Sequence, residues 1–417
     1  MSRSSTCEES SRTMSVTKKN IFNSSFRHDS VKTSKTSYGT EKQCNLLDFP
    51  HWDNSAMDGY AVRFHEVESA SPANPILLRI TSDIPAGSVP AIALSPGEAA
   101  RILTGSMMPI GADTVVMQEK TERIAGSDQI RLIEAPPALG HFVRHRGHFY
   151  TAGDRLLSSG LVIGGAELAV LAAAQILTVP VFRRVRVGVL STGNELIQPH
   201  ETLKPGQIID SNQVALMALL HQAGVEAVAL GQVQDDRPVL KSAMKQAIES
   251  CDVVISSGGV SVGDYDYVEE LLEELGGTIH IRSIAIKPGK PLTFATFGQT
   301  LYFGLPGNPV SALVTFWRFV LPAIKKRSGQ SSNWGPHWIK ATSPIALTAD
   351  GRRENYLWGT LDRSSSTEVM PSFQVATGSG SSGNLINLAG SNALGVVPVG
   401  IQTIEAGHSF QVMMLSD

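Results

Sequence analysis

The chain has 417 residues, of which 42% are hydrophobic and 18% are charged, and its formal net charge is -3. This length exceeds what one ordinary hydrophobic core accommodates, so roughly two to four globular domains are expected. The charge balance argues against a dedicated nucleic-acid-binding protein, which would carry a basic excess or stripe. Any anionic ligand must therefore be held by local groups.

The cysteine pattern indicates a reducing compartment. Cys7, Cys44 and Cys251 lie far apart and form neither a disulfide framework nor a zinc-binding spacing. We therefore expect a cytoplasmic protein. No stretch is apolar and long enough to span a membrane, and the N-terminus has no apolar signal-peptide core. Glu8 and Glu9 also fit an organellar transit peptide poorly.

The first half of the chain divides into segments of different composition. Residues 1–43 are rich in Ser, Thr, Lys and Arg without apolar periodicity, so they are predicted to be disordered. Short apolar runs separated by Gly and Pro predict a β-rich domain over residues 44–150. Within residues 151–182, the Ala- and Leu-rich stretch 165–177 predicts a helix.

Residues 183–330 show a clear alternation of strand and helix patterns. Apolar runs predict strands that begin near Val185, Val225, Asp252 and Leu301, with helical segments between them. Such alternation predicts a parallel sheet with crossover helices, and ligands of such sheets bind at the carboxyl ends of the strands. Short strands and Gly/Ser turns then predict a terminal β domain over residues 331–417.

A glycine-rich loop follows one of these predicted strands. It reads Ser256-Ser-Gly-Gly-Val-Ser-Val-Gly-Asp-Tyr-Asp266 and leads into a predicted helix. Glycines let backbone amides approach an oxyanion, and a helix N-terminus adds positive potential. Asp264 and Asp266 are suited to hold Mg²⁺ against a phosphate. A plain strand-to-helix turn with capping acids is the alternative interpretation.

Two further turns carry polar side chains. Lys287-Pro-Gly-Lys290 places two ammonium groups on one short loop, as a tetrahedral dianion such as molybdate or phosphate requires. A solvated surface turn would have the same composition. In Leu305-Pro-Gly-Asn-Pro309, Asn308 is placed to cap a helix and Pro309 suits its first turn. This segment predicts a rigid wall of a pocket or, alternatively, turn geometry alone.

Acidic residues follow the first two predicted strands of the alternating region. Ser191-Thr-Gly-Asn-Glu195 ends the first strand, and Asp235 with Asp236 follows the second. Single acids at strand ends are commonly helix caps. Here every predicted strand end carries glycine or an acidic, basic or amide side chain, and this convergence favours a ligand site.

Together these motifs resemble those of the molybdopterin molybdenumtransferase family, which includes the C-terminal part of gephyrin. The matching motifs occur in family order from about residue 48 to the C-terminus. They are Asp53-Asn-Ser-Ala-Met-Asp-Gly-Tyr-Ala61, Ile102-Leu-Thr-Gly105, Gly111-Ala-Asp113, Ser191-Thr-Gly-Asn-Glu195, Asp210-Ser-Asn212, the Gly258–Asp266 loop, Lys287-Pro-Gly-Lys290 and Leu305-Pro-Gly-Asn-Pro309.

The resemblance implies an α/β multidomain fold. Residues 183–330 would form a three-layer molybdopterin-binding α/β domain, beside the β-rich domain 44–150 and a C-terminal β barrel over 331–417. Residues 151–182 would be the remnant of a helical dimerisation domain. The resemblance also implies a homodimer, with the site between the α/β domain of one subunit and the β-rich domain of the other, and it allows contact with a molybdopterin adenylyltransferase.

The resemblance further implies insertion of molybdenum from molybdate into adenylylated molybdopterin, with release of AMP and Mg²⁺ as cofactor. It assigns catalytic roles to Asp58, Asp266, Lys287 and Lys290. Substrate contacts would come from Thr104, Glu195, Gly258, Gly259, Ser261, Pro306 and Asn308. The metal would be held by Asp266, Asp235 and Glu195.

Two departures from the family pattern keep other functions open. The family's N-terminal helices are replaced by the Ser/Thr-rich stretch, so a weakened dimer is expected. The family's Arg-x-x-Gly-x-Asp pattern reads Arg144-His-Arg-Gly147-His-Phe149, with Phe149 in the acid's position. A catalytically impaired pterin-binding or scaffold protein is therefore the alternative. A related adenylyltransferase shares the α/β domain, but the two additional β domains argue against it.

Overall fold

The computed structural model describes part of the chain, which forms two compact units. The described residues are 16–20 (backbone only), 47–258, 267–362, 370–380 and 383–415. The first unit contains 47–157 and 167–177, and the second contains 16–20, 158–166 and the described residues from 178 onward. Of the residues predicted to form the site, four lie outside the described residues, namely Gly259, Ser261, Asp264 and Asp266.

The first unit is built on a six-stranded mixed sheet. In spatial order its strands are Thr114–Met117, Gly59–Val62, Glu98–Ile102, Ile76–Ile84, Gln129–Leu132 and Thr121–Arg123. A second small pair joins Asn54–Ser55 to Val143–Arg144, and two short helical turns occupy Phe64–Val67 and Gln118–Lys120. The predicted β-rich character of this region is confirmed, and apolar side chains of its strands form a core around Tyr60, Leu78 and Ile130.

The second unit contains an α/β domain with a six-stranded sheet. Its strands are β1 (Arg186–Thr192), β2 (Glu226–Val233), β3 (Val253–Ser257), β4 (Thr278–Ile281), β5 (Thr293–Phe297) and β6 (Thr300–Leu305). The spatial order is β2-β1-β3-β6-β5-β4. The first four strands are parallel, as predicted, whereas β5 runs antiparallel to both β6 and β4. Only the parallel core of the sheet was anticipated.

Helices cover both faces of this sheet. They are α1 (Ser211–Gln222), α2 (Arg237–Ser250), α3 (Val268–Glu274), α4 (Pro309–Thr315), a π-helical turn at Phe316–Val320 and α5 (Leu321–Arg327). Val187, Val189, Val253 and Ile255 point to the α1 and α4 face, whereas Leu190 and Val254 pack with α2 and α3. Strand side chains alternate between faces, so these apolar runs are buried on both sides. The predicted three-layer domain is confirmed.

The N-terminal region departs from the prediction. Val16–Asn20 forms a strand that pairs antiparallel with Thr178–Phe182. The prediction of disorder is therefore wrong for these five residues; the rest of 1–43 lies outside the described residues. The strand pairing supplies backbone hydrogen bonds that a polar sequence does not signal. The predicted helix is present but shorter, at Gly165–Ala173.

The C-terminal part closes into a β barrel, as predicted. Five strands follow one another around it, namely Glu354–Asp362, Ser372–Val375, Trp338–Thr342, Ser409–Met414 and Ala393–Val397, and the last pairs with the first. A small pair, Leu347–Thr348 with Thr403–Ile404, and a 3-10 turn at Ile386–Leu388 complete it. Ile286–Lys287 adds a parallel strand to Glu354–Asn355, which links the α/β domain to the barrel.

Short paired strands at Leu196–Ile197 and Ile208–Ile209 precede α1. No helix in the described part of the chain combines the length and the apolar character that crossing a membrane requires.

Asp252 fixes the start of the α/β sheet. Its carboxylate accepts hydrogen bonds from Arg183 Nη1 at 2.6 Å, from Arg183 Nη2 at 2.5 Å and from the backbone N–H of Arg186 at 2.8 Å. Burial alone would raise the pKa of Asp252, but these hydrogen bonds outweigh burial and hold the pKa below its ordinary value. The pair therefore stabilises the fold above pH ~4, and this stabilisation is lost as the pH falls through the depressed pKa.

We predict that Asp252→Asn lowers the free energy of unfolding at pH 7 by about 1–3 kcal/mol, because a charge-assisted pair is broken. The difference from wild type should shrink as the pH falls from about 5 to 3. Urea titration followed by tryptophan fluorescence measures it. The exposed Asp83–Arg101 pair supplies the control, since Asp83→Asn should change stability by less than about 1 kcal/mol. A difference that stays constant down to pH 3 would contradict the account.

Candidate functional site

The carboxyl ends of β1 and β2 are joined by a reciprocal pair of hydrogen bonds. The N–H of Asn194 donates to Asp235 Oδ2 at 3.3 Å, and the N–H of Asp235 donates to Asn194 Oδ1 at 3.1 Å. Gln232 Nε2 also donates to the Gly193 carbonyl at 3.1 Å. Two acids predicted from separate segments, Asp235 and Glu195, are thereby brought to the same edge of the sheet.

Asp235 and Glu195 form a like-charge pair. Burial raises the pKa of Asp235, and the Glu195 carboxylate raises it further, although the Asn194 N–H opposes both effects. Glu195 lies against Gly193, where an added Cβ would be 2.8 Å from Glu195 Oε2. A cation beside both carboxylates would relieve their repulsion, and oxygen donors suit Mg²⁺. Among the described residues no group of three or more potential metal ligands occurs, so these two acids supply part of a coordination shell at most.

The turns after β3 and β6 lie against each other. Gly258 has a φ of +94°, and a Cβ there would be 2.5 Å from the Thr192 carbonyl oxygen, so only glycine fits. Its N–H donates to the Leu305 carbonyl at 3.1 Å. A Cβ on Gly307 would be 3.7 Å from the Gly258 Cα. The structure therefore brings Gly258, the first glycine of the predicted loop, and the Pro306–Asn308 turn together.

Asn212, at the start of α1, bridges these two turns. Its Nδ2 donates to Ser257 Oγ at 2.7 Å and to the Gly307 carbonyl at 2.8 Å. Its Oδ1, together with Thr192 Oγ1, is buried without a hydrogen-bond partner in the described part of the chain. Unpaired buried polar atoms are costly, so their convergence here marks a place that suits a polar ligand. The sequence singled out Asp210-Ser-Asn212 as one of the family motifs but assigned no role to Asn212, because its two partners are distant in the sequence.

Two predicted site residues of the Leu305–Pro309 turn, Pro306 and Asn308, differ in their exposure to solvent. Pro306 is buried, whereas Asn308 is exposed. Asn308 occupies the N-cap position of α4, as predicted, but its side chain does not make the cap hydrogen bond. Asp210 does cap α1, accepting a hydrogen bond from the Gln213 N–H at 3.0 Å.

The lysine turn is fixed by backbone contacts. Gly289 has a φ of +113°, and a Cβ there would be 2.7 Å from Thr315 Cγ2 of α4. The Lys290 carbonyl accepts from the Ile284 N–H at 2.9 Å, which closes the turn. Lys287 is half-buried and Lys290 is exposed. Both ammonium groups are thus carried by a rigid loop beside α4.

The barrel strand that pairs with the lysine turn begins next to one further cation, Arg353, whose Nη2 donates to Asp350 Oδ2 at 3.2 Å. Ile286–Lys287 pairs with Glu354–Asn355, so that Ile286 lies opposite Glu354. Arg353 is the residue immediately before Glu354 on the barrel strand's side of this pair. The Glu354 N–H donates to the Ala285 carbonyl at 2.9 Å, which holds this register. No local sequence pattern connects Arg353 with the lysine turn, since only the strand pairing brings the two segments together.

In the β-rich unit, Asp58 and Thr104 form one cluster. Asp58 Oδ1 accepts from the Thr104 side chain at 2.6 Å and from the Thr104 N–H at 2.7 Å, and these bonds lower the pKa of Asp58. Both residues are exposed. At Gly59 a Cβ would be 2.0 Å from the Val116 carbonyl oxygen, so the residue after Asp58 must be glycine for this strand to pair with Thr114–Met117. The structure therefore provides an ionised carboxylate at a fixed position.

Phe149 is exposed, and its ring centroid lies 6.0 Å from that of Phe49. Acids are nevertheless close to the motif around Phe149. Asp53 accepts from the Arg146 N–H at 2.7 Å, and Asp48 accepts from Arg146 Nε at 2.6 Å. The sequence placed Asp53 in a family motif without a role of its own and did not single out Asp48, because single acids in a loop carry no spacing signal.

Three family models match the chain in succession. They are the MoeA N-terminal region (domain I and II) over residues 35–174, the probable molybdopterin binding domain over 188–326 and the MoeA C-terminal region (domain IV) over 340–415. These ranges cover the described site residues of both units.

Solved structures share the whole fold. Two structures titled as molybdopterin biosynthesis MoeA protein from Pyrococcus horikoshii align with TM-scores of 0.79 and 0.75, at 26% and 29% identity. The alignments cover 96% and 97% of this chain and 95% of each of those chains.

Curated relatives agree with the structural likeness. A molybdopterin molybdenumtransferase from Nostoc sp. is 50% identical over 374 residues, covering 89% of this chain and 84% of the relative. Molybdopterin molybdenumtransferase 2 from Mycobacterium tuberculosis is 35% identical over 375 residues, covering 89% of this chain and 90% of the relative. The chain therefore belongs to the molybdopterin molybdenumtransferase family, as its sequence motifs predicted.

Proposed function

We propose that this chain transfers molybdenum from molybdate to the dithiolene of adenylylated molybdopterin and releases AMP. The observation that carries the proposal is the convergence at one sheet edge of the two glycine turns, the bridging Asn212 and the acids Asp235 and Glu195. Glycine turns give backbone access to phosphate oxygens, and the unpaired buried atoms of Asn212 and Thr192 suit a polar ligand.

The reaction requires positive charge near oxygen atoms. The two dithiolene sulfurs must replace oxo ligands of molybdate, which leave as water with the thiol protons, and water must cleave the phosphoanhydride bond so that AMP is released. Negative charge develops on oxygen in both events, so fixed cations and N–H groups lower the barrier. Lys287, Lys290 and Arg353 lie where the rigid lysine turn meets the barrel. We assign molybdate and phosphate binding to this group.

We propose Mg²⁺ as the cofactor. Asp235 and Glu195 would hold it together with Asp266, which lies outside the described residues. When bound, the ion supplies charge neutralisation at the phosphoanhydride. The two described acids orient it: Asp235 is tied to Asn194 and Glu195 packs on Gly193.

The wider proposal follows the family resemblance. We propose a homodimer that works in the cytoplasm and receives its substrate from a molybdopterin adenylyltransferase. A pterin-binding scaffold without turnover is not favoured, because the chain has Asp58 and both lysines of the family motifs and the curated relatives are named molybdenumtransferases.

Asp58→Asn should lower the rate of molybdate-dependent AMP release by about 100-fold or more, because the amide keeps the shape but loses the charge and basicity. The measurement is AMP release from adenylylated molybdopterin under saturating molybdate. Asp83→Asn, an exposed acid of the same unit, is the matched control. Unchanged turnover in Asp58→Asn would remove this residue from the catalytic group.

Lys290→Ala should raise the molybdate KM by about tenfold, since one charge-assisted contact to a dianion is lost. Lys290→Arg should recover part of that loss. Lys340→Ala, an exposed lysine of the barrel, serves as the control. If KM is the same in Lys290→Ala and wild type, the lysine turn does not bind molybdate.

Chelation with EDTA should abolish AMP release, and Asp235→Asn should raise the Mg²⁺ concentration that restores half of the activity by about tenfold. The metal binds the ionised carboxylate, and the pKa of Asp235 is raised. As the pH is lowered, the affinity for Mg²⁺ should therefore begin to fall at a higher pH than it would if Asp235 had the ordinary pKa of an aspartate. Full activity in EDTA would refute the metal's role.

A further inference from the structure

Five ring-bearing side chains form a continuous patch on the β-rich unit. This aromatic cluster consists of Phe49, His51, Trp52, His148 and Phe149, and the centroids of neighbouring rings lie between 5.2 and 6.0 Å apart. Phe149 is 60% exposed, Trp52 45% and Phe49 42%. Contiguous exposed apolar surface is a feature of binding sites.

The backbone under the aromatic cluster is firmly cross-linked. The Phe49 N–H donates to the Tyr150 carbonyl at 2.7 Å, and the Phe149 N–H donates to the Phe49 carbonyl at 3.0 Å. Asp48 and Asp53 hold Arg146 in the intervening turn. Rings held in advance by their backbone lose little entropy when a ligand binds, so the cluster is preorganised.

A cation lies beside the rings. The Arg146 side chain is 66% exposed, and its bond to Asp48 uses Nε. Its terminal nitrogens make no hydrogen bond to the described part of the chain. A flat heteroaromatic ring carried on a phosphate uses both kinds of group, because its face stacks on aromatic side chains and its phosphate accepts from a guanidinium.

The aromatic cluster lies in the same compact unit as the Asp58–Thr104 pair. Asp53, which is bonded to the Arg146 turn, lies five residues before Asp58. A segment of that length spans at most about 18 Å. A ligand that carries a planar ring at each end of a phosphoanhydride can therefore contact the cluster while its reacting part lies near Asp58.

We propose that the aromatic cluster stacks on one planar ring of adenylylated molybdopterin, either the adenine or the pterin, with Arg146 beside its phosphate. This inference rests on the function proposed above. It gives Phe149, which stands where the family pattern has an acid, a positive role in substrate binding.

The test compares Phe149→Leu, which keeps an apolar side chain but removes the ring, with the wild type. Leu139→Ala, exposed to 65% on the same unit and outside the cluster, is the control. Equilibrium dialysis measures Kd separately for AMP and for molybdopterin without the adenylyl group. Phe149→Leu should weaken one of the two ligands by about 5- to 100-fold, and the ligand affected identifies the ring. Leu139→Ala should leave both Kd values unchanged.

Several results would overturn the inference. One is that Phe149→Leu binds each ligand with the same Kd as wild type. A second is that wild type binds neither ligand. Another is that Phe149→Leu binds both ligands as wild type does but has a different molar mass in solution by sedimentation. That result would assign the cluster to contact between copies of the chain. A Phe149→Asp variant that turns over faster with unweakened binding would show that this position needs an acid. A wild type that binds a ring through Phe149 but releases no AMP would support the inference and contradict the proposed function.

Discussion

The side-chain amide of Asn212 sets the geometry on which the α/β site depends. One nitrogen donates to Ser257 at the end of β3 and to Gly307 after β6. Both turns must therefore come close together, and side chains are excluded where Gly258 meets the Thr192 carbonyl. Asn212 can reach both turns because α1 begins at Ser211, with Asp210 as its cap. A helix start, two strand ends and two glycines thus form one structural unit.

The sequence predicted the parallel core of this domain for a clear physical reason. Strands buried on both faces read as continuous apolar runs, as β1 and β3 do. The strands β4 and β5 were not predicted, since Thr278–Ile281 and Thr293–Phe297 mix polar and apolar residues and lie toward the sheet edge. Local pattern cannot show that Asn212 contacts a turn about a hundred residues away. That contact exists only once the crossover helices have packed.

The β-rich unit illustrates a different limit of what can be predicted from sequence alone. Its polar segment around Asp58 has no helix or strand period, so only family resemblance assigned it a role, and the structure then added the contact with Thr104. Phe149 was recognised as a departure from the family pattern, but its packing on Phe49 depends on strand pairing between distant segments. Residues whose importance lies in long-range contacts could not be predicted, whereas glycines and lysines on short turns could be proposed as site residues from the sequence.

The most direct measurement is AMP release by the purified chain from adenylylated molybdopterin with Mg²⁺, in the presence and absence of molybdate. The account predicts release that depends on molybdate and a product that reconstitutes an apo-molybdoenzyme. Tight binding of the pterin without AMP release would contradict it, and would leave a binding protein with the family's fold.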